Sequence, residues 1–492
     1  MAEKTNFLAI DFGASSGRAM LGTLADGKLT LRELHRFSND PVELAGRLYW
    51  DAPRLFFEIK RALNKAALEG VQIASVGIDT WGVDYGLLDG QGRLIDNPVH
   101  YRDGRTEGMM QRAFGAVSKQ EIYERTGLAF MEFNTLYQLF SQAQEGDGRL
   151  GIAKTMLFMP DLFAYLLTGK MGCEYTIAST SQMISPYTRS WDAELLGKLG
   201  IPAGILLPVT QPGAVRGTLL PSIARETGIG QVPVIAVAGH DTASAVAAVP
   251  ARDEDFAYIS SGTWSLVGVE TKQPVISPEA QAANLTNEGG VDGTIRVLKN
   301  VMGLWIIQEC KREWERRGQA LSFADIVKEA EKAPAFRSLF DPDAPDFAPP
   351  GDMPGRIAAY CRRTGQPVPE TVGQTARAVY ESLALKYRWT VEKLEKARGR
   401  AIRTLHIVGG GANNAMLNEF TASALGIPVV TGPTEATAIG NVMMQAKALG
   451  LVEDIWALRR VVADSFDTGT VLPGDKAPWD AAYARFIEIS GL

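Results

Sequence analysis

The first apolar segment of the chain reads FLAIDFGASSGRAML at residues 7–21. Apolar residues give way to the small, polar segment Gly13–Arg18 and then resume, a pattern that predicts a strand, a tight turn and a second strand. Asp26 and Gly27 form a dipeptide typical of two-residue hairpin turns, and they precede the apolar residues 29–34. We therefore expect the chain to begin with an antiparallel meander.

Segments after this meander alternate between helix-like and strand-like patterns. Residues 54–69 have helical periodicity, and residues 73–78 and 85–88 are short apolar runs typical of strands. Residues 405–408 form another apolar run, and residues 478–489 predict a closing C-terminal helix. The alternation predicts an α/β protein.

The second half repeats the opening pattern. Residues 258–268 read YISSGTWSLVG, again an apolar segment, a Ser/Gly/Thr turn and an apolar segment, and a polar break, VPARDED, precedes them at residues 249–255. A chain of 492 residues is also too long for one ordinary core. We expect two related domains, residues 1–248 and 249–492, with a cleft between them.

Composition excludes several classes of protein. The net charge of -6 and the scattered Lys and Arg residues argue against a nucleic-acid partner. The sequence has no apolar stretch of about 18 residues and no apolar leader, so we expect a cytoplasmic protein that does not bind a membrane. Monomer and homodimer both remain open.

Cysteine and histidine usage limits the metal chemistry. The three cysteines are far apart and lack a C-x-x-C spacing, and the four histidines are dispersed. Neither a disulfide framework nor a zinc site is indicated. Any bound metal should therefore be a hard cation with oxygen ligands.

Phosphate binding has no common sequence signature in this chain. The nearest match to a Walker loop, residues 22–29, has Leu29 where Ser or Thr must bind magnesium, and we interpret it as a hairpin. The turns Gly13–Arg18 and Ser260–Ser265 are an alternative pair of phosphate cradles, because Gly allows close approach and hydroxyls add donors. Asp11 could then hold Mg²⁺ through water. Each turn alone is more often a plain hairpin tip.

Two further segments fit the nucleotide. Gly409–Gly411 follows the apolar run at 405–408 and would let a flat adenosine lie against the backbone. Gln308, on an amphipathic segment, is a second candidate. An ordinary strand-to-helix turn and an exposed helical glutamine are the alternatives.

Sugar recognition is suggested by two loops. Residues 79–84 read DTWGVD and combine carboxylates, a hydroxyl and the Trp81 indole, a mixture suited to hydroxyl groups and an apolar ring face. His240, Asp241 and Thr242 follow the apolar run 234–238 and precede an Ala-rich helical segment. Core packing for Trp81 and helix capping for Asp241 are the competing interpretations.

Taken together and in this order, these segments resemble the FGGY carbohydrate kinases, a branch of the actin and hexokinase superfamily. The resemblance covers nearly the whole chain. The segments that carry it are IDFGASSGR at 10–18, GIDTWGVD at 77–84, YRDGR at 101–105, FNTLYQ at 133–138, HDTASAV at 240–246, SSGTWS at 260–265, NEGG at 287–290 and KNVMGLW at 299–305.

The resemblance implies two ribonuclease H-type domains and a transfer of phosphate from ATP to a ketose. The segments at 79–84, 240–246 and 261–265 narrow it to the branch that phosphorylates the 1-hydroxyl of L-rhamnulose. By similarity, Asp241 is the proton acceptor. The implied ATP contacts are Ala14, Ser15, Ser16, Gly17, Arg18, Thr263, Gln308 and Gly410. The implied sugar contacts are Gly82, His240, Asp241, Thr242 and Asn300, to which the loop composition adds Trp81 and Asp84.

Three alternative functions remain open, and one residue departs from the pattern of a relative. The substrate could be another ketose, such as L-fuculose or L-xylulose, because a methyl group or one stereocentre is worth only about 1–3 kcal/mol of discrimination. A non-catalytic sugar sensor and, less well supported, a dehydrogenase using the Gly409 loop are the others. Gly239 departs from a relative that carries serine beside the His-Asp pair, which bears on the shape of the sugar pocket.

Overall fold

The computed structural model describes residues 4–492. The chain divides into two compact units. Unit 1 comprises the described residues through Arg252 together with Glu270–Val297 and Ala436–Phe466, and unit 2 comprises Asp253–Val269, Leu298–Glu435 and Asp467–Leu492. The assignment of residues 1–248 and 249–492 to two sequence domains stays a prediction.

Both strands and helices are distributed along the chain. The strands are β1 Thr5–Phe12, β2 Ser16–Ala25, β3 Lys28–Ser38, β4 Val42–Leu44, β5 Arg47–Tyr49, β6 Ile73–Asp79, β7 Tyr85–Leu88, β8 Thr155–Phe158, β9 Cys173–Glu174, β10 Ile184–Ser185, β11 Ser190–Trp191, β12 Val209–Thr210, β13 Ala214–Thr218, β14 Pro233–Ala236, β15 Phe256–Ser261, β16 Trp264–Thr271, β17 Thr286–Gly289, β18 Ile295–Met302, β19 Thr404–Val408, β20 Val429–Thr431 and β21 Gly469–Val471. The helices are α1 Ala52–Leu68, α2 Met109–Phe114, α3 Lys119–Thr126, α4 Thr135–Glu145, α5 Gly148–Ile152, α6 Met159–Thr168, α7 Tyr175–Ala178, α8 Ala193–Lys198, α9 Pro221–Thr227, α10 Asp241–Ala247, α11 Pro278–Ala282, α12 Trp305–Arg316, α13 Phe323–Glu331, α14 Met353–Arg363, α15 Val372–Arg398, α16 Ala415–Leu425, α17 Ala436–Ala448, α18 Ile455–Ser465 and α19 Ala477–Ser490.

The main sheet of unit 1 has the strand order β13-β14-β6-β1-β2-β3. Strands β1, β2 and β3 form the predicted antiparallel meander. Asp26 and Gly27, at φ 52° and 73°, make the left-handed turn between β2 and β3, so residues 22–29 are a hairpin as predicted. Strand β6 lies parallel to both β1 and β14, which brings the carboxyl ends of three strands to one edge of the sheet.

The second sheet has the order β17-β18-β16-β15-β19-β20-β21. Strand β15 pairs with β16 in antiparallel and with β19 in parallel orientation, as β1 does with β2 and β6. Strands β16 and β18 each pass from one unit into the other. The α/β class and the repeated strand-turn-strand pattern are therefore confirmed.

One large apolar cluster forms the core of unit 1 beside its main sheet. Buried residues of β1, α1 and α6, including Ile10, Ile59 and Phe163, belong to one cluster. Their burial is the main stabilising contribution, because apolar surface removed from water is worth about 25 cal/mol per Å². Within residues 4–492, no helix combines the length and apolar character needed to cross a bilayer.

Helices α10 and α17 approach closely at Gly440. A Cβ atom at this position would lie 1.8 Å from the carbonyl oxygen of Ser244. We expect Gly440→Ala to lower the free energy of unfolding by about 1–3 kcal/mol, because the backbone of α10 must shift to admit the methyl group. Urea unfolding checks this, with Gly197→Ala as control, since Gly197 is also helical but has open space around it. Equal losses in the two variants would argue against the overpacking mechanism.

Candidate active site

Three carboxylates meet at the carboxyl edge of the unit 1 sheet. Asp11 and Asp79 are register partners on the parallel strands β1 and β6. The segment after β14 continues the pairing, because the Thr80 N–H donates to the Gly239 carbonyl and the Asp241 N–H donates to the Thr80 carbonyl, both at 2.9 Å. Ligands bind at this edge in many α/β sheets.

The electrostatics of this edge favour a cation. Burial, followed by repulsion from Asp11 and Asp241, raises the pKa of Asp79 well above its usual value. Asn441 donates to Asp79 Oδ2 at 2.6 Å, while among the described residues Oδ1 has no hydrogen-bond partner. Arg18 Nη2 contacts Asp11 Oδ2 at 2.7 Å. The negative charge of these three carboxylates is therefore only partly balanced by the surrounding protein groups.

These residues fit a hydrated Mg²⁺ better than a directly caged metal. Within residues 4–492, no group of three or more His, Cys, Asp or Glu side chains is arranged to hold a metal ion directly. Mg²⁺ usually keeps several waters and takes one or two carboxylates plus substrate phosphates. The buried oxygen of Asp79 and the carboxylate of Asp11 match that donor set.

Asp241 is the accessible member of the cluster. It is the first residue of α10, and its side chain is 31% exposed, so a ligand can reach it. Its Oδ1 accepts from Thr242 Oγ1 at 3.0 Å and lies 3.4 Å from His240 Nε2. Desolvation raises the pKa of Asp241, and repulsion from Asp11 adds to this, while His240 and Thr242 oppose it. The N-cap residue is His240, whose side chain makes no capping hydrogen bond, whereas Asp241 Oδ1 accepts from the Thr242 N–H in the first turn.

His240 is held by two residues to which the sequence assigned no role. Arg296 Nη2 lies 3.1 Å from His240 Nδ1, and Glu288 Oε2 lies 3.4 Å from it. Burial opposes ionisation of Glu288, but the charges and hydrogen bonds of Arg296 and His240 together outweigh it and lower the Glu288 pKa. The available signal was a lone arginine in the otherwise apolar start of β18.

Trp81 and Asp84 are both buried, in agreement with the core packing that was the competing interpretation for Trp81. Trp81 is 5% exposed, packs on Trp50 with ring centroids 3.9 Å apart, and donates its indole N–H to Asp84 Oδ2 at 3.0 Å. Asp84 is fully buried, and Gln138 donates to its second oxygen. Both Asp84 oxygens already accept protein donors, and direct sugar contact by Asp84 stays a prediction.

The same loop is strained at Val83. This β-branched residue has φ 67°, and its N–H donates to Thr180 Oγ1 at 3.0 Å. A β-branched residue rarely adopts positive φ, and such strain concentrates at functional sites. A Cβ at neighbouring Gly82 would lie 3.3 Å from Thr180, so little room exists there for a side chain.

The first phosphate-type turn is tight and exposed. The Gly13 N–H donates to the Ser16 carbonyl at 2.9 Å, and Asn39 donates to the Gly13 carbonyl at 2.8 Å. Ala14 and Ser15 are exposed at its tip. A Cβ at Gly17 would fall 2.2 Å from the Phe37 ring, which explains the second glycine.

The nucleotide candidates of unit 2 gather at the ends of two neighbouring strands. Thr263, in the turn after β15, lies 3.4 Å from Gln308 on α12, measured from Oγ1 to Oε1. Gly410 follows β19, the parallel neighbour of β15, and has open space where a side chain would stand. Gly411 packs against Ser261, where a Cβ would fall 1.9 Å from Oγ. Asn300 lies half-buried on β18.

Comparisons with known proteins agree with this architecture. The profile of the N-terminal domain of the FGGY family of carbohydrate kinases matches residues 6–248, and that of the C-terminal domain matches residues 257–449. A rhamnulokinase from Bacteroides thetaiotaomicron is 49% identical over 98% of this chain and 99% of its own. One from Enterococcus faecalis is 44% identical over 95% and 94%.

Solved structures share the fold at low identity. A xylulose kinase from Lactobacillus acidophilus superposes with a TM-score of 0.84 at 19% identity, covering 99% of this chain and 97% of its own. A gluconate kinase from the same organism gives 0.84 at 18%, covering 99% and 98%. The sequence matches and the shared fold both confirm the predicted resemblance. The chain belongs to the FGGY family of carbohydrate kinases.

Proposed function

We propose that this enzyme transfers the γ-phosphate of ATP to the 1-hydroxyl of L-rhamnulose, yielding L-rhamnulose 1-phosphate and ADP in rhamnose catabolism. The observation that carries the proposal is the accessible, desolvated carboxylate of Asp241 beside His240. The rhamnulokinases that are 43–49% identical over almost the whole chain support the choice of sugar.

Asp241 serves as the proton acceptor. The sugar oxygen forms a bond to the γ-phosphorus while the bond to the β,γ-bridging oxygen breaks, and the hydroxyl proton passes to Asp241 as the new bond forms. His240 and Thr242, both adjacent to the carboxylate, orient it and bind the sugar, with Gly82, Asn300 and the Trp81 face completing the proposed sugar contacts.

Other residues of the chain align ATP with the sugar and compensate the charge of its phosphates. Residues Ala14–Arg18 and Thr263 bind the phosphates, while Gln308 and Gly410 lie toward the adenosine. Asp11 would hold Mg²⁺ through water, with the buried Asp79 behind it. When bound, the metal neutralises negative charge on the phosphates. We assign most sugar contacts and the phosphate turn Ala14–Arg18 to domain 1–248, whereas Asn300, Thr263, Gln308 and Gly410 fall in domain 249–492.

Cellular location and assembly are part of the same proposal. We place the enzyme in the cytoplasm, where ATP is available as the phosphate donor. All candidate residues come from one chain, so the proposed chemistry needs no second copy, and monomer and homodimer are both compatible with it.

A coupled ADP-release assay across several ketoses tests the proposal. We expect L-rhamnulose to exceed L-fuculose and L-xylulose in kcat/KM by about tenfold or more, because one stereocentre or methyl group is worth about 1–3 kcal/mol. Chelation of divalent cations should abolish turnover, and added Mg²⁺ should restore it. A higher kcat/KM for another ketose would reassign the substrate, and no sugar-dependent ADP release at all would indicate a sensor.

A further inference from the structure

Glu174 is a buried carboxylate at the start of a short helix. It is 1% exposed and caps α7, where its Oε1 accepts from the Thr176 N–H at 2.8 Å and its Oε2 accepts from the Ile177 N–H at 3.1 Å. Thr176 Oγ1 also donates to Oε2, at 2.7 Å. Capping alone would account for these bonds.

The same side chains reach the segment that precedes Asp241. Glu174 Oε2 accepts from the Gly239 N–H at 3.0 Å, and Thr176 Oγ1 accepts from the His240 N–H at 3.2 Å. Two consecutive amides immediately before Asp241 are therefore held by one carboxylate and its hydroxyl neighbour. On its other side this segment is bonded to Thr80 of the β6 end. Its backbone is thus fixed from two directions.

The contact between Glu174 and the Gly239 N–H explains why position 239 is a glycine. A Cβ there would lie 2.9 Å from Glu174 Oε2 and 3.1 Å from Pro160 Cγ. The position does not have positive φ, so close approach of the carboxylate, rather than backbone freedom, favours glycine. Any side chain at this position would crowd Glu174.

Burial of the Glu174 carboxylate at this position is energetically unfavourable. Within the described residues no cation lies within ion-pair distance of Glu174, since the nearby Arg216 pairs with Asp161 at 2.8 Å. Burial raises the pKa of Glu174 to about 7, although Thr176 and Ile177 donate to it. A buried charge without a charged partner is rarely a source of stability, so a role in fixing geometry is the better explanation.

We propose that Glu174, acting with Thr176, is a positioning residue that fixes the Gly239–His240 backbone and thereby aims the Asp241 carboxylate at the sugar hydroxyl. The inference rests on the proposed function for its catalytic readout. It assigns no contact between Glu174 and the substrate. The rate of phosphate transfer depends on the orientation of Asp241, because a small misalignment of the reacting oxygens lowers the rate.

Paired substitutions of Thr176 test the inference. Thr176→Val removes the hydroxyl bridge at nearly constant volume and should lower kcat about tenfold without changing the KM for ATP, whereas Thr176→Ser should restore most of kcat. Thr227→Val is the matched control, because Thr227 is equally buried and, within residues 4–492, its hydroxyl bonds only to the Ile223 carbonyl of its own helix. Equal kcat in the valine, serine and control variants would overturn the inference.

A second measurement is independent of turnover. Hydrogen exchange followed by mass spectrometry on a peptide containing residues 239–240 should show faster exchange in Glu174→Gln and Thr176→Val than in wild type, while β1 peptides keep their protection. Unchanged exchange at 239–240 in both variants would also overturn the inference. A wild-type enzyme inactive on every ketose would contradict the proposed function but leave this exchange result interpretable.

Discussion

Asp241→Asn is expected to lower kcat by about 10²–10⁴-fold, the usual worth of a general base, while the affinity for ATP stays unchanged. Asparagine fills the same volume and can still accept from Thr242 through its amide oxygen, so the start of α10 should remain intact. The amide has no capacity to take the proton of the sugar hydroxyl. Steady-state kinetics with the best ketose, together with nucleotide titration, checks both parts.

The pH dependence gives a second test of the same residue. Desolvation raises the Asp241 pKa above its usual value. Because only the carboxylate can accept a proton, kcat should fall as the pH drops through that pKa, and this acidic limb should be absent in Asp241→Asn. Asp464→Asn, at an exposed position on α18, controls for the loss of one negative charge. A kcat close to wild type in Asp241→Asn would remove Asp241 from the catalytic role.

The sequence predicted the elements that local pattern controls. Strand-turn-strand units, the Asp26-Gly27 hairpin and the placement of Asp11 and Asp241 at strand ends all depend on neighbours within a few residues. Parallel pairing of β1, β6 and β14 then gathers these ends at one edge, as expected for an α/β sheet. The sequence alone therefore predicted that Asp11 and Asp241 lie at strand ends, which this pairing brings to one edge of the sheet.

Long-range contacts account for what the sequence did not predict. Arg296 reaches His240 across 56 positions, and Glu174 reaches Gly239 across 65. Neither pair has a spacing that signals contact. Trp81 shows a related limit, since its loop has the composition of a sugar site, but composition does not tell which way an indole N–H points.

Asp84→Ala should lower the free energy of unfolding by about 3–5 kcal/mol, because each buried donor left without an acceptor costs about 1–3 kcal/mol. Asp84 Oδ2 accepts from Trp50 Nε1 at 2.6 Å, Trp81 Nε1 at 3.0 Å and the Tyr101 N–H at 3.1 Å. Gln138 Nε2 donates to Oδ1 at 3.1 Å. Alanine leaves buried donors without an acceptor and opens a cavity beside the packed indoles of Trp50 and Trp81. Urea unfolding at neutral pH measures the loss.

Asp84→Asn separates the charge of this network from its hydrogen bonds. Burial raises the pKa of Asp84 to about 6, although Trp50, Trp81 and Gln138 donate to it. A folded-state pKa above the unfolded value of about 3.9 means that the stability contributed by this group is full at lower pH and is lost as pH rises to about 6. The unfolding free energy of wild type minus that of Asp84→Asn should therefore shrink between pH 4.5 and 6.5 and then level off. A difference independent of pH would show that Asp84 ionises in the folded protein as readily as in the unfolded chain, and that the donors around it fully compensate for its burial.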